Sequence, residues 1–165
     1  MTELEELKQQ IEDIKSKIAK LEIQPNEINK KWLPEFLETY FFINDYGEAN
    51  AANCYGNNKD NWRYSHNNCF KTKEHAEKYL EILETKIKLK DLADKLNDGR
   101  KIDWENTRQS KYSIIYCSVD NSLNQNVSSY LKGVGQIYCL DLNFKDKAIR
   151  DIGEQELIDM IKSGV

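Results

Sequence analysis

The sequence predicts an α+β protein: an N-terminal coiled-coil helix followed by two similar β-β-(β)-α units that form antiparallel sheet with helices packed on it. The expected boundaries are 1–25 for the coiled-coil oligomerisation helix and 26–165 for the α+β domain, with an internal repeat of 26–97 and 98–165. Three observations carry this. Leu4, Leu7, Ile11, Ile14, Ile18 and Leu21 recur at spacings of 3 and 4, with Leu4, Ile11 and Ile18 at the a positions and Leu7, Ile14 and Leu21 at d. The run from Asn68 through Phe70 and Thr72 to Glu74 reads as a strand end, a cap and a helix start. The same order of features returns 72 positions later, with Leu142, Lys145, Asp146, Ala148 and Ile152 standing where Phe70, Lys73, Glu74, Ala76 and Leu80 stood. That offset also superposes Trp32 on Trp104, Tyr40 on Tyr112 and Ile43 on Ile115.

Taken in order, residues 3–24 form an unbroken amphipathic helix. An isolated helix of this length is marginal, so its stripe requires a partner. One reading folds it onto its own domain. The other, which we prefer, pairs it with further copies of the chain as a dimer or trimer, with Glu3–Lys8 and Lys17–Glu22 as complementary flanks. Gln24-Pro25-Asn26 stops the helix. Thr39 to Asn44 is a strand, Asn44-Asp45-Tyr46-Gly47 a turn, and Ala49 to Tyr55 a weaker return strand. Gly56 to Asn61 reads as a loop, and Trp62 to Phe70 as a third strand or a loop ending in one. A helix runs from Thr72 as far as Asn97, with Gly99 as its stop. In the second unit Tyr112–Cys117, Leu123–Leu131 and Gly135–Leu140 are strands; the helix from Asn143 breaks at Gly153 and resumes through Ile161. Phe70 and Leu142 are expected at equivalent buried positions.

A net charge of −4 and a pI near 5.3 weigh against non-specific nucleic-acid binding and against anionic membranes. No run approaches the roughly 20 apolar residues of a membrane span, and the acidic start at Met1 is unlike a secretory signal. The setting expected is a cytoplasm. The four cysteines contain no Cys-x-x-Cys pair. Cys54, His66 and Cys69 are the one cluster with metal-like spacing and lack a fourth ligand, so buried free thiols and no cofactor are expected.

Trp32-x-Pro34 ahead of a tyrosine-rich strand, Trp62-Arg63-Tyr64, the run from Asn68 to Glu77 and Asp103-Trp104 resemble a pattern found in small proteins of Firmicutes phages and prophages. That pattern usually has glycine where Asn67 stands here. The resemblance covers about residues 30–160 and implies a phage protein acting in the host bacterial cytoplasm, where many such proteins antagonise antiviral defence. It carries no established site.

No nucleophile elbow, zinc-protease motif or phosphate-cradling glycine loop occurs. His66 near Cys69 lacks the third group of a nucleophilic triad. We therefore expect no enzyme. The candidate ligand-binding surface is the asparagine- and aromatic-rich stretch Asn53 to Asn68, with Asn61, Trp62, Arg63, Tyr64 and His66 as its site residues. Amides donate and accept together, and rings and guanidinium planes stack on bases. In the competing reading the asparagines make turns and Trp62 is core beneath a loop. Arg63 is expected at the surface, removable without opening a cavity. The function expected is a non-enzymatic, oligomeric binder that sequesters a nucleotide immune signal. An anti-CRISPR-type inhibitor of a defence protein, or a phage assembly accessory, is the alternative.

Overall fold

A computed structural model describes residues 32–164. The heptad residues Leu4, Leu7, Ile11, Ile14, Ile18 and Leu21 lie outside the described residues. Within them the chain is α+β, with four helices and two small antiparallel two-stranded sheets. It divides into two compact units, the first ending at Leu80 and the second beginning at Glu81. None of the described helices is long and apolar enough to cross a membrane.

In the first unit β1 (Thr39–Ile43) pairs with β2 (Ala49–Asn53). The turn forms as the sequence expects: Asn44 Oδ1 accepts from the amides of Tyr46 and Glu48, and Gly47 takes φ 75°, which a side chain would strain. Where a loop and a third strand were expected, residues Asn58–Ser65 instead form a helix, α1. Its cause is a capping box. Asn57 accepts from the amides of Lys59 and Asp60, and the Asp60 carboxylate accepts from the Asn57 amide. Of the expected third strand only one rung exists, Phe41 with Phe70, bonded both ways at 2.8 Å.

Helix α2 (Lys73–Asn97) runs its 25 residues as the sequence expects. The Thr72 hydroxyl accepts from the His75 amide. Glu74, hydrogen-bonded to its own backbone amide and to Thr72, has its carboxyl held below the usual range despite the opposing effect of burial. Gly99 follows its end at φ 73°. In the first unit Ala76 is buried and Tyr79 packs on Phe70 at 5.1 Å.

In the second unit β3 (Lys111–Cys117) pairs with β4 (Ser122–Ser128), and α3 (Phe144–Asp151) and α4 (Glu154–Ser163) contact the hairpin. Gly153 separates the two helices, as expected. Gln125 of β4 starts α3: its Oε1 accepts from the Lys145 amide and its Nε2 donates to the Leu142 carbonyl. The expected strand Gly135–Leu140 is a single rung, Cys139 with Tyr112. Before it the chain curls on itself, because the Tyr138 hydroxyl accepts from the Gly133 amide and donates to Gln136 while Gly135 takes φ 75°.

The equivalence of Phe70 and Leu142 does not hold. Phe70 is 6% exposed and Leu142 is 64% exposed; Cys139 and Phe144 are the buried residues at the second junction. The rungs show why. Phe41 corresponds to Tyr112, so Tyr40 corresponds to Lys111 and Ile43 to Ile114, not to Tyr112 and Ile115. A one-residue slip in a strand exchanges its two faces. Ala76 and Ala148 are both fully buried, as the expected pairing requires.

Candidate functional site

The polar centre of the first unit is a relay that the sequence did not reveal. Tyr40 on β1 is fully buried, and its hydroxyl donates to Asp60 Oδ1 at 2.7 Å. Arg63 Nη1 donates to the same hydroxyl at 2.7 Å, while Asp60 Oδ2 accepts from the amides of Tyr55 and Asn57. Burial pushes the Tyr40 hydroxyl up to about 12, with Arg63 opposing and Asp60 reinforcing the shift. Burial also acts to raise the Asp60 carboxyl. The Tyr40 hydroxyl, the two amides and the Arg63 charge outweigh it and hold the carboxyl below its ordinary value.

This relay fixes the Arg63 guanidinium 3.3 Å over the Phe42 ring. Arg63 is therefore half-buried and structural on its inner side, contrary to the expected free surface arginine. Trp62 reverses the other way. It is 57% exposed, so the reading that made it core is wrong. Its ring stacks on His66 at 4.4 Å and 23°. His66 Nδ1 lies 2.8 Å from the Trp62 carbonyl and 3.0 Å from the Ser65 hydroxyl.

Beside these groups lies a cavity of about 410 Å³, open to solvent, walled by Trp62, Arg63, Phe42, Lys59, Asn58 and Asn68, with Ile43, Asn44 and Asp45 completing it. It brings together two of the five expected site residues, Trp62 and Arg63. Asn61, Tyr64 and His66 do not line it; Asn61 bonds the Gly56 carbonyl, and His66 serves as the second plate of the Trp62 stack. Phe42, Asn44, Asp45 and Lys59 are wall residues that sequence reasoning passed over. One signal existed: Asn57 and Asp60 at capping-box spacing would have placed Lys59, Trp62 and Arg63 on one short helix.

Asn68 has a second task. Its Oδ1 accepts from the Ile43 amide at 2.7 Å and its Nδ2 donates to the Ile43 carbonyl at 2.8 Å. The side chain thereby supplies the rung that the backbone leaves out after Phe41–Phe70. Among the described residues no group of three or more His, Cys, Asp or Glu side chains lies together to hold a metal ion. Burial pushes the Cys69 thiol up to about 11, which disfavours the reactive thiolate near neutral pH. The arrangement offers a stacking surface, two cations, one carboxylate and several amides around an open cavity. That is chemistry for binding. No family model matches the chain, and no curated protein or solved structure is significantly similar to it.

Proposed function

We propose that the protein is a non-enzymatic binding module whose first-unit cavity takes a nucleotide-like small molecule. One observation carries the reading: an exposed indole stands beside a guanidinium already held in place, with Lys59 and the amides of Asn58 and Asn68 on the same cavity wall. An indole stacks on any base, cations meet phosphate, and amides read base edges. Arg63 is oriented before the ligand arrives, which lowers the ordering cost of binding. In this reading, which the resemblance to phage proteins motivates, the activity is sequestration of a nucleotide immune signal in the host bacterial cytoplasm. In that reading residues 1–25 join copies of the chain as a coiled-coil dimer or trimer, and residues 26–97 and 98–165 are a duplicated β-β-(β)-α motif. The repeated order of hairpin, single rung and helix supports the duplication.

A second reading, inhibition of a defence protein by direct contact, is favoured by Leu33, Phe36 and Leu37. These are near neighbours in sequence and each is more than half exposed. Calorimetric titration with nucleosides, mononucleotides and cyclic nucleotides separates the two. The nucleotide reading expects binding that Trp62→Ala weakens roughly 5- to 150-fold, the range of one lost stack, with the melting temperature unchanged because Trp62 is exposed. Folded protein that binds none of these compounds, or a Trp62→Ala variant that binds them equally well, removes the cavity from the account.

A further inference from the structure

Antiparallel ladders point alternate residues of a strand at the same neighbour. In β3 the rung from Tyr112 to Cys139 therefore fixes Ile114 and Tyr116 as the next residues facing that edge. A continued ladder would set Ile114 against Ile137 and Tyr116 against Gly135. It does not continue, and no described residue bonds the backbone N–H or C=O of Ile114 or Tyr116 there. A cavity of about 330 Å³ fills the gap, walled by Leu89, Ile114, Val134, Ile137 and Met160 together with Lys86.

The first unit has the same rung, and its next position is closed by the Asn68 carboxamide on Ile43. The corresponding residue in the second unit is Ile137, whose side chain can neither donate nor accept. Ile114 is only 6% exposed, so its backbone groups on this edge are bare in a mostly apolar place, which is costly. The chain's own 133–137 segment does not cover them, being held in its curl by the Tyr138 hydroxyl and by the positive φ of Gly135.

We propose that this edge binds an extended peptide segment by strand addition, with the peptide backbone pairing to Ile114 and Tyr116. An apolar ligand without amides would fill the cavity and leave those groups unpaired. A peptide does both. An aliphatic side chain enters the cavity, and an acidic group of the peptide meets Lys86, which makes no ion pair with a described residue. This site is independent of the nucleotide reading.

The probe is a short synthetic peptide of alternating valine and threonine ending in glutamate. Its control is the same peptide N-methylated at alternate residues, which removes the pairing donors. Amide hydrogen exchange of the full chain is measured with each. Tenfold or greater slowing at Ile114 and Tyr116 is expected with the first peptide and none with the second. Ile137→Asn, which copies the Asn68 closure, should abolish the slowing. Ile137→Ala, which leaves the edge open, should retain it. No slowing with the first peptide, equal slowing by the N-methylated peptide, amides already protected in the free protein, or binding undiminished in Ile137→Asn would each overturn the proposal. The last two outcomes would also identify the cover, as the chain itself or as contacts other than backbone pairing.

Discussion

The two units solve the same local problem differently. Each has a hairpin whose first strand gains one bonded rung from a later segment, Phe70 on Phe41 and Cys139 on Tyr112. Each has a buried polar side chain one residue before that rung, Tyr40 or Lys111. The first unit satisfies its polar group with side chains, Asp60 and Arg63. The second satisfies it with the main chain: Lys111 Nζ donates to the carbonyls of Asn106 and Ser129 and lies 5.3 Å from the Trp104 ring. The first closes its next rung with a carboxamide and the second leaves it open. Equivalent topology thus settles where a polar group must be satisfied, while single residues settle how. A cavity adjoins the rung in both units, lined largely by asparagine and charged side chains beside aromatic rings in the first and largely by aliphatic side chains in the second.

The sharpest way to break the comparison is to truncate the aromatic residues that fill each junction. Phe70→Ala and Phe144→Ala should each cost about 3–5 kcal/mol in denaturant unfolding, as deletion of a buried ring does, and Leu142→Ala should fall within about 0.5 kcal/mol. A large loss at Leu142 would restore the discarded pairing and undo the register on which the comparison rests.

The next effect is electrostatic and belongs to the first unit. Tyr40 is raised from 10.0 to about 12 in the fold. Below pH 10 its proton is retained in both states and the contribution is complete. As pH rises from about 10 to 12 only the unfolded chain releases the proton, and stability falls by about 2–3 kcal/mol. Subtracting the alkaline unfolding curve of Tyr40→Phe should isolate this slope from the other tyrosines. Parallel curves for the two proteins would show that Tyr40 is not the buried acid described. The smallest effect concerns the closed edge. Asn68→Ala leaves the Ile43 amide and carbonyl bare and should cost about 1–3 kcal/mol, with faster exchange of the Ile43 amide. Unchanged exchange there would mean that the carboxamide does not close the first unit.

Much of this fold was legible. Thr72, Gly99 and Gly153 bound helices because a hydroxyl cap and positive-φ glycines act locally, and Asn44 to Gly47 turns for the same reason. What failed was long-range. Nothing near Gly135–Leu140 announces that the Tyr138 hydroxyl will curl the segment away from β3. Helix α1 was hidden because asparagine signals turns and caps alike, and only Asp60, three residues after Asn57, tells them apart. The site was half legible: composition pointed to Trp62 and Arg63, but which of them is free depends on Tyr40, 23 residues before Arg63.

The Asn68 carboxamide also bears on solubility. A bare strand edge is a template for the edge of another molecule, and proteins shield such edges with charge, proline, bulges or a covering segment. Here one uncharged side chain does the shielding in the first unit by mimicking a peptide group. Aspartate differs from it by a single group, yet keeps the acceptor and loses the donor, leaving the Ile43 carbonyl exposed to a neighbour. On the β1 side of the first hairpin, closure of the edge at Ile43 depends on the nitrogen of that one amide.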